Sequence, residues 1–122
     1  MAKAKDTDLA KKLNVKAGMK LRIVGKPAGV SLTGIATTAS SKADGVMVFV
    51  KTLAEVDAKC KPALDAARED GLSWIVYPKA GQLGTDLNRD VLWKHLLDQG
   101  IQGVRQIALD DVWSAMRFRP KK

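Results

Sequence analysis

The chain contains one cysteine, Cys60, and one histidine, His95, among its 122 residues. A single cysteine cannot form an intramolecular disulfide bond, and this fits a reducing cytoplasm. A single histidine excludes a metal site built from several histidines. The densest apolar run, "VMVFV" at 46–50, is far shorter than the about 20 residues of a membrane-spanning helix. The opening "MAKAKDTD" lacks the apolar core of a signal peptide, so we expect a cytoplasmic protein without a membrane segment.

Acidic residues are scarce at the two ends of the chain. Residues 1–26 hold eight lysines and arginines against two aspartates, and the tail from Arg117 holds four bases and no acid. Residues 27–116 hold nine bases and eleven acids, so the formal charge of +8 belongs to the ends. We interpret the ends, about 1–6 and 119–122, as flexible solvated basic arms. Weak, salt-sensitive binding of nucleic acid is the alternative.

Short apolar runs alternate with helical patterns along the rest of the chain. Helices are predicted at about residues 7–14, 52–60, 62–71 and 85–100. Strands are predicted to begin at Met19, Val46, Leu72, Val104 and Val112, with a weak strand at 35–38. The alternation predicts a single α/β domain over residues 1–122, with a three-layer, mostly parallel, Rossmann-like sheet of five or six strands. The last two strands are predicted to form an antiparallel hairpin around Asp110 and Asp111.

The segment after "VMVFV" carries two helix signals. "TLAE" matches a capping box, with Thr52 as the cap and Glu55 reaching back. Pro62 would interrupt a continuous helix, so a break is expected near Lys61.

Two apolar strands run into a lysine, a proline and a glycine, in "LRIVGKPAGV" and "SWIVYPKAGQ". Ligands of open α/β sheets bind at the carboxyl ends of the strands. Gly25, Lys26 and Gly29 are therefore candidate ligand-binding residues. Their G-x-x-x-G spacing matches neither a dinucleotide fingerprint nor a P-loop, and Pro27 has no N–H to donate. A tight turn after the strand is the structural alternative.

The second stretch places Lys79 at the end of a central strand, with Thr85 and Asp86 at the start of the next predicted helix. A lysine at a strand end can bind a phosphate or a carboxylate. It can equally pair with Asp86 or cap nearby carbonyl groups. We include Lys79, Thr85 and Asp86 among the candidate ligand-binding residues.

The hairpin strand alternates Trp113, Arg117 and Arg119 on the face opposite Phe118. If helices cover only one side of the hairpin, these three residues form an aromatic and basic surface for a protein or nucleotide partner. If a helix covers the second side, Trp113 belongs to the core. The sequence leaves both alternatives open, whereas Trp74 is predicted to lie in the core.

No catalytic residue or metal ligand is predicted. Cys60 is interpreted as a buried, inert thiol, because nothing in its surroundings indicates a lowered pKa. His95 is interpreted as a helix-surface residue, since no nucleophile elbow accompanies it.

Several motifs resemble an uncharacterised bacterial family of small α/β proteins of unknown function. They are the W-x-x-x-P-K strand end in "WIVYPKAGQLGTDLNRDVLWKHLLDQG", its T-D-L-N/T-x-D helix start, and the D-D/E-x-W-S-x-x-[KR]-F hairpin in "VRQIALDDVWSAMRFRPKK". "LAKKLNVKAGMKLRIVGKP" is similar to the opening of that family, and residues 30–45 depart from it. The resemblance implies a trimmed S-adenosylmethionine methyltransferase-like fold. It also implies the strand order weak-1-2-3-5-4, with the five main strands numbered along the chain.

Two classes of function follow from these observations. The first is a non-catalytic binding or interaction domain with a protein or small-molecule partner and no cofactor. The second is a transferase that uses S-adenosylmethionine or a nucleotide, which the resemblance and the positions of Gly25 and Lys79 support. Nucleic-acid binding through the basic ends is a third alternative.

Overall fold

Six strands form one sheet in the structure, a computed structural model that describes residues 13, 15, 19–26, 37–38, 43–69, 71–79, 81, 84–109 and 112–121. The strands are β1 (Leu21–Val24), β2 (Thr37–Thr38), β3 (Gly45–Phe49), β4 (Leu72–Pro78), β5 (Ile101–Ala108) and β6 (Trp113–Pro120). The described residues also form three helices, α1 (Leu53–Lys59), α2 (Lys61–Arg68) and α3 (Arg89–Leu97). Each of these helices is too short, or too polar, to cross a membrane.

The strands follow the order β2-β1-β3-β4-β6-β5. Strands β2, β1, β3 and β4 pair in parallel, and β6 pairs antiparallel with both β4 and β5. Every residue of β4 is buried, as expected for a central strand that is covered on both faces. This arrangement confirms the largely parallel sheet, the antiparallel hairpin and the implied strand order. The predicted turn at Asp110 and Asp111 lies outside the described residues.

All three described helices pack on the same face of the sheet. Their buried side chains, among them Val56, Ala63 and Leu92, form one core cluster with residues of β3, β4 and β6. The opposite face forms a second cluster around Trp74, against which Leu13 packs. The predicted helix at 7–14 lies outside the described residues apart from Leu13, so the third layer stays a prediction.

The junction of α1 and α2 follows the predicted signals with one correction. The Thr52 hydroxyl accepts a hydrogen bond from the Glu55 amide at 3.2 Å. The Glu55 carboxylate accepts from the Lys51 amide at 2.7 Å, one residue before the cap and not at the cap itself. Cys60 ends α1 and precedes α2, which has Pro62 in its first turn. The predicted break is therefore confirmed.

Candidate ligand-binding site

A cavity of about 300 Å³ lies at the carboxyl end of β4, where the sheet changes from parallel to antiparallel pairing. Its walls come from the end of β4, the start of α3 and the two hairpin strands. The lining residues are Tyr77, Lys79, Asn88, Arg89, Asp90, Gln106 and Ser114. Three distant segments of sequence thus meet around one space, at the edge of the sheet where ligands of α/β folds usually bind.

Tyr77 forms the floor of this cavity. Its side chain is almost completely buried, and its hydroxyl oxygen accepts a hydrogen bond from Gln106 Nε2 at 2.9 Å. Burial raises the pKa of Tyr77 to about 12, although the charge of Arg89 and the hydrogen bond from Gln106 act in the opposite direction. The phenol is therefore protonated at neutral pH. Since Gln106 uses the acceptor side of the oxygen, the O–H proton can be donated to a ligand.

Lys79, Arg89 and Asp90 line the same cavity as Tyr77, and the charges of Arg89 and Asp90 act on the phenol. Arg89 Nε lies 3.2 Å from Asp90 Oδ1, and both side chains are largely exposed, so this pair contributes little to stability. Lys79 is held beside the start of β6 because its backbone amide donates to the Val112 carbonyl at 2.7 Å. Its ammonium group makes no ion pair with the described residues. The cavity is therefore lined by two cationic side chains, one acid paired with Arg89, and a neutral hydroxyl.

Thr85 and Asp86 hold the loop before α3 and do not line the cavity. The Thr85 hydroxyl donates to the Lys51 carbonyl, and Asp86 Oδ1 accepts from the Leu53 amide at 2.9 Å. Asp86 is thereby engaged with the start of α1, and no ion pair joins it to Lys79 among the described residues, a pairing that the sequence left open. These contacts also explain why α3 begins at Arg89, four residues later than predicted, with Asn88 as its cap.

Gly25 follows β1 with a positive φ of 74°. A Cβ atom at this position would lie 2.9 Å from the Phe49 carbonyl oxygen. Glycine is therefore required both by the turn and by the close approach to β3. This agrees with the alternative in which Gly25 forms a tight turn after the strand. Lys26 is exposed next to it. Gly29 lies outside the described residues, so ligand binding at this loop stays a prediction.

Trp113 is buried, with 5% of its surface exposed. Its ring meets Phe49 edge-on, with centroids 5.6 Å apart and an interplanar angle of 72°. Of the two alternatives that the sequence left open, the exposed aromatic surface is therefore wrong for Trp113, which belongs to the core. Of its two predicted companions, Arg117 is half-buried and Arg119 is exposed. Binding of a partner or of nucleic acid by the basic ends stays a prediction.

The second core cluster explains this burial. The Trp74 indole Nε1 donates to the Leu13 carbonyl oxygen at 2.9 Å, which confirms that Trp74 lies in the core. Leu13 itself is fully buried in the cluster that contains Trp113. Leu13, and Val15 packed against the same cluster, therefore contribute to covering the face that the described helices leave free.

The Cys60 thiol lies at the junction of α1 and α2, and the His95 imidazole lies between α3 and α1. Cys60 is fully buried, which confirms the prediction of a buried thiol. Burial, and to a lesser extent the charge of Asp57, raises the pKa of Cys60 to about 12, as expected for an inert thiol. His95 Nε2 lies 2.7 Å from Asp57 Oδ1. The imidazole thus connects α3 with α1 at the surface.

Sequence reasoning found only Lys79 among the residues that line the cavity. It missed the residues contributed by the other segments, which are Tyr77, Asn88, Arg89, Asp90, Gln106 and Ser114. One usable signal was present, because Ser114 alternates with Met116 and Phe118 on the core-facing side of its strand. A polar residue at a core-facing strand position often marks a ligand-binding site.

No family model and no curated protein matches this chain. The resemblance to an uncharacterised family therefore stays a prediction. Among solved structures, the LepI complex with SAM is similar over 94% of this chain and 39% of its own, with 14% sequence identity and a TM-score of 0.46. The chain thus spans well under half of the LepI chain. A similarity of this size transfers neither fold nor function.

Proposed function

We propose that this domain binds a small anionic ligand in the cavity at the end of β4. The observation that supports the proposal is that Lys79 and Arg89 line one cavity together with the neutral Tyr77 phenol. This is a binding role, in line with the first class of function that the sequence indicates.

The three groups contribute different interactions. The Lys79 ammonium and the Arg89 guanidinium supply charge, and the guanidinium can bind two oxygens of one carboxylate or phosphate group. Tyr77 supplies a fixed neutral donor, because Gln106 orients its hydroxyl. Buried, oriented donors of this kind select a ligand by geometry as well as by charge.

The transferase alternative would use a different part of the same sheet edge. The chain order reverses direction between β1 and β3, and the carboxyl ends of these strands are where such a cofactor would bind. Gly25 and Lys26 lie there, but residues 27–36 are outside the described residues. The proposal is therefore based on the cavity between β4 and α3.

Calorimetric titration with inorganic phosphate tests the proposal. We expect saturable binding to the wild type and binding to Lys79→Gln that is weaker by about ten-fold to a hundred-fold, since a hydrogen bond to a charged group contributes about 1.5–3 kcal/mol. Lys94→Gln is the matched control, because Lys94 is an exposed lysine of α3 that does not line the cavity. Equal weakening in both variants would show a non-specific effect of surface charge and contradict the proposal.

The same titration with S-adenosylmethionine and with ATP addresses the transferase alternative. A compound that binds the wild type and Lys79→Gln equally well, and is not displaced by phosphate, occupies another site. That result would favour the cofactor position at β1 and β3. Competition with phosphate would assign the compound to the cavity.

A further inference from the structure

A second cavity of about 370 Å³ adjoins the first on the side of β5. Its lining residues are Arg89, Trp93, Gly103, Val104, Arg105, Gln106 and Met116. Arg89 and Gln106 line both cavities. The two spaces therefore form one groove between α3 and the edge strand β5, which we call the α3–β5 groove.

The outer part of the α3–β5 groove exposes large apolar side chains. Trp93 is 44% exposed and Val104 is 46% exposed, and Met116 is buried beneath them. A Cβ atom at Gly103 would lie 2.6 Å from Met116 Sδ and 3.4 Å from Trp93 Cδ1. Glycine thus lets the indole ring lie close to the strand. An exposed indole beside an aliphatic side chain gains favourable free energy when a flat apolar group covers it.

The charged residues that line the outer part of the groove are all positive. Arg89 and Arg105 flank the apolar surface, and none of the described residues that line the outer cavity is acidic. Arginine also stacks on aromatic rings and bases. The inner cavity adds Lys79 and the Tyr77 hydroxyl. An apolar surface is therefore joined directly to the cavity in which we propose that an anion binds.

We infer that the α3–β5 groove binds a ligand in which a flat aromatic ring is joined to an anionic group. The ring lies against Trp93 and Val104, and the anionic group reaches Lys79 and Arg89. The inference rests on the proposed function for the anionic group and adds the ring site to it. Both phosphate and carboxylate groups fit this chemistry, so the test includes one probe of each kind.

The experiment compares four probes by calorimetry on the full chain. Adenosine monophosphate is compared with inorganic phosphate, and benzoate is compared with acetate. We expect at least one ring compound to bind about ten-fold tighter than its ring-free partner, since base stacking on an aromatic side chain is worth this much. If only adenosine monophosphate binds tighter than its ring-free partner, the anionic group is a phosphate. If only benzoate does, the anionic group is a carboxylate.

Two variants at one position locate the ring. Trp93→Ala should abolish the preference for the ring compound and leave the affinity for phosphate or acetate unchanged. Trp93→Phe keeps an aromatic surface and should retain most of the preference. Because Trp93 is exposed, both variants are expected to fold, which circular dichroism verifies.

The outcomes separate this inference from the proposed function. If phosphate or acetate binds but the ring adds no affinity, or if Trp93→Ala keeps the preference, the inference is wrong and the proposed function stands. If no probe binds the wild type at millimolar concentration, both are wrong.

Discussion

Gln106 Nε2 donates a hydrogen bond of 2.9 Å to the Tyr77 hydroxyl oxygen across an intervening strand. Gln106 belongs to β5 and Tyr77 to β4, and β6 lies between these strands in the sheet. Ser114, which pairs with Tyr77 in register, lies on the strand that the bond crosses. The contact orients the phenol and closes the floor of the cavity.

Tyr77→Phe should weaken phosphate binding several-fold and change the free energy of unfolding by only about 1 kcal/mol. The substitution keeps the buried ring and removes the O–H group that we expect to donate to the ligand. Calorimetry gives the affinity, and urea denaturation gives the stability. Unchanged phosphate affinity in Tyr77→Phe would mean that the hydroxyl does not contact the anion.

Alanine substitution at Asp86 and at Asp90, two exposed aspartates near the start of α3, should change different properties of the protein, stability in the first case and phosphate affinity in the second. Asp86→Ala removes the acceptor of the Leu53 amide, so we expect a loss of about 1 kcal/mol in stability and unchanged phosphate affinity. Asp90→Ala removes the acid of the cavity and should strengthen phosphate binding. If Asp86→Ala weakened binding while remaining folded, Asp86 would belong to the ligand site after all.

Gly25→Ala should destabilise the protein more than Gly100→Ala. Both glycines have a positive φ, so each substitution costs about 1–2 kcal/mol from the backbone. Only at Gly25 would the new Cβ atom also meet a backbone oxygen, that of Phe49 at 2.9 Å. Thermal and urea denaturation of the two variants measure the difference. Equal losses would show that the close approach to β3 is not a constraint.

Stability should fall as the pH rises from about 9 to about 12, because Cys60 and Tyr77 keep their protons in the folded state. Their pKa values rise from 9.0 and 10.0 to about 12 on folding. In that interval the unfolded chain binds fewer protons than the folded chain, so the free energy of unfolding decreases by up to about 1.4 kcal/mol per pH unit for each group.

Urea denaturation of the wild type and of Cys60→Ala between pH 8 and 11 isolates the contribution of the thiol. The slope of stability against pH should be shallower in the variant above pH 9, where the thiol of the unfolded chain ionises. The slope is compared because the substitution also changes the absolute stability. Identical slopes would contradict the raised pKa of Cys60.

The strands could be predicted from the pattern of the sequence, and the sheet order only from the family resemblance, whereas the start of α3 could not be predicted from either. Apolar runs such as "VMVFV" and "LSWIVY" indicate buried strands by themselves. Thr85 and Asp86 also have the local pattern of a helix start. Their side chains instead bind Lys51 and Leu53, which lie more than thirty residues earlier. A tertiary contact of this kind leaves no local signal.

The candidate site could be predicted only in part, because most of its residues are brought together by tertiary contacts. Lys79 was accessible to sequence reasoning because the strand-end rule refers to its own strand. Tyr77 and Gln106 meet because the Gln106 side chain reaches across β6 to the end of β4, and this contact cannot be derived from either segment alone, nor from the strand order. The burial of Trp113 likewise depends on the packing of Leu13 on the second face of the sheet.

Amide chemical-shift mapping of the full ¹⁵N-labelled chain with inorganic phosphate shows where the anion binds. We expect saturable shifts that cluster on the lining residues of the cavity, above all on Lys79, Asn88 and Gln106. Lys79→Gln should greatly reduce these shifts. Anion binding in this cavity would be wrong if the shifts were confined to Gly25 and Lys26, or if they stayed linear and scattered over exposed lysines.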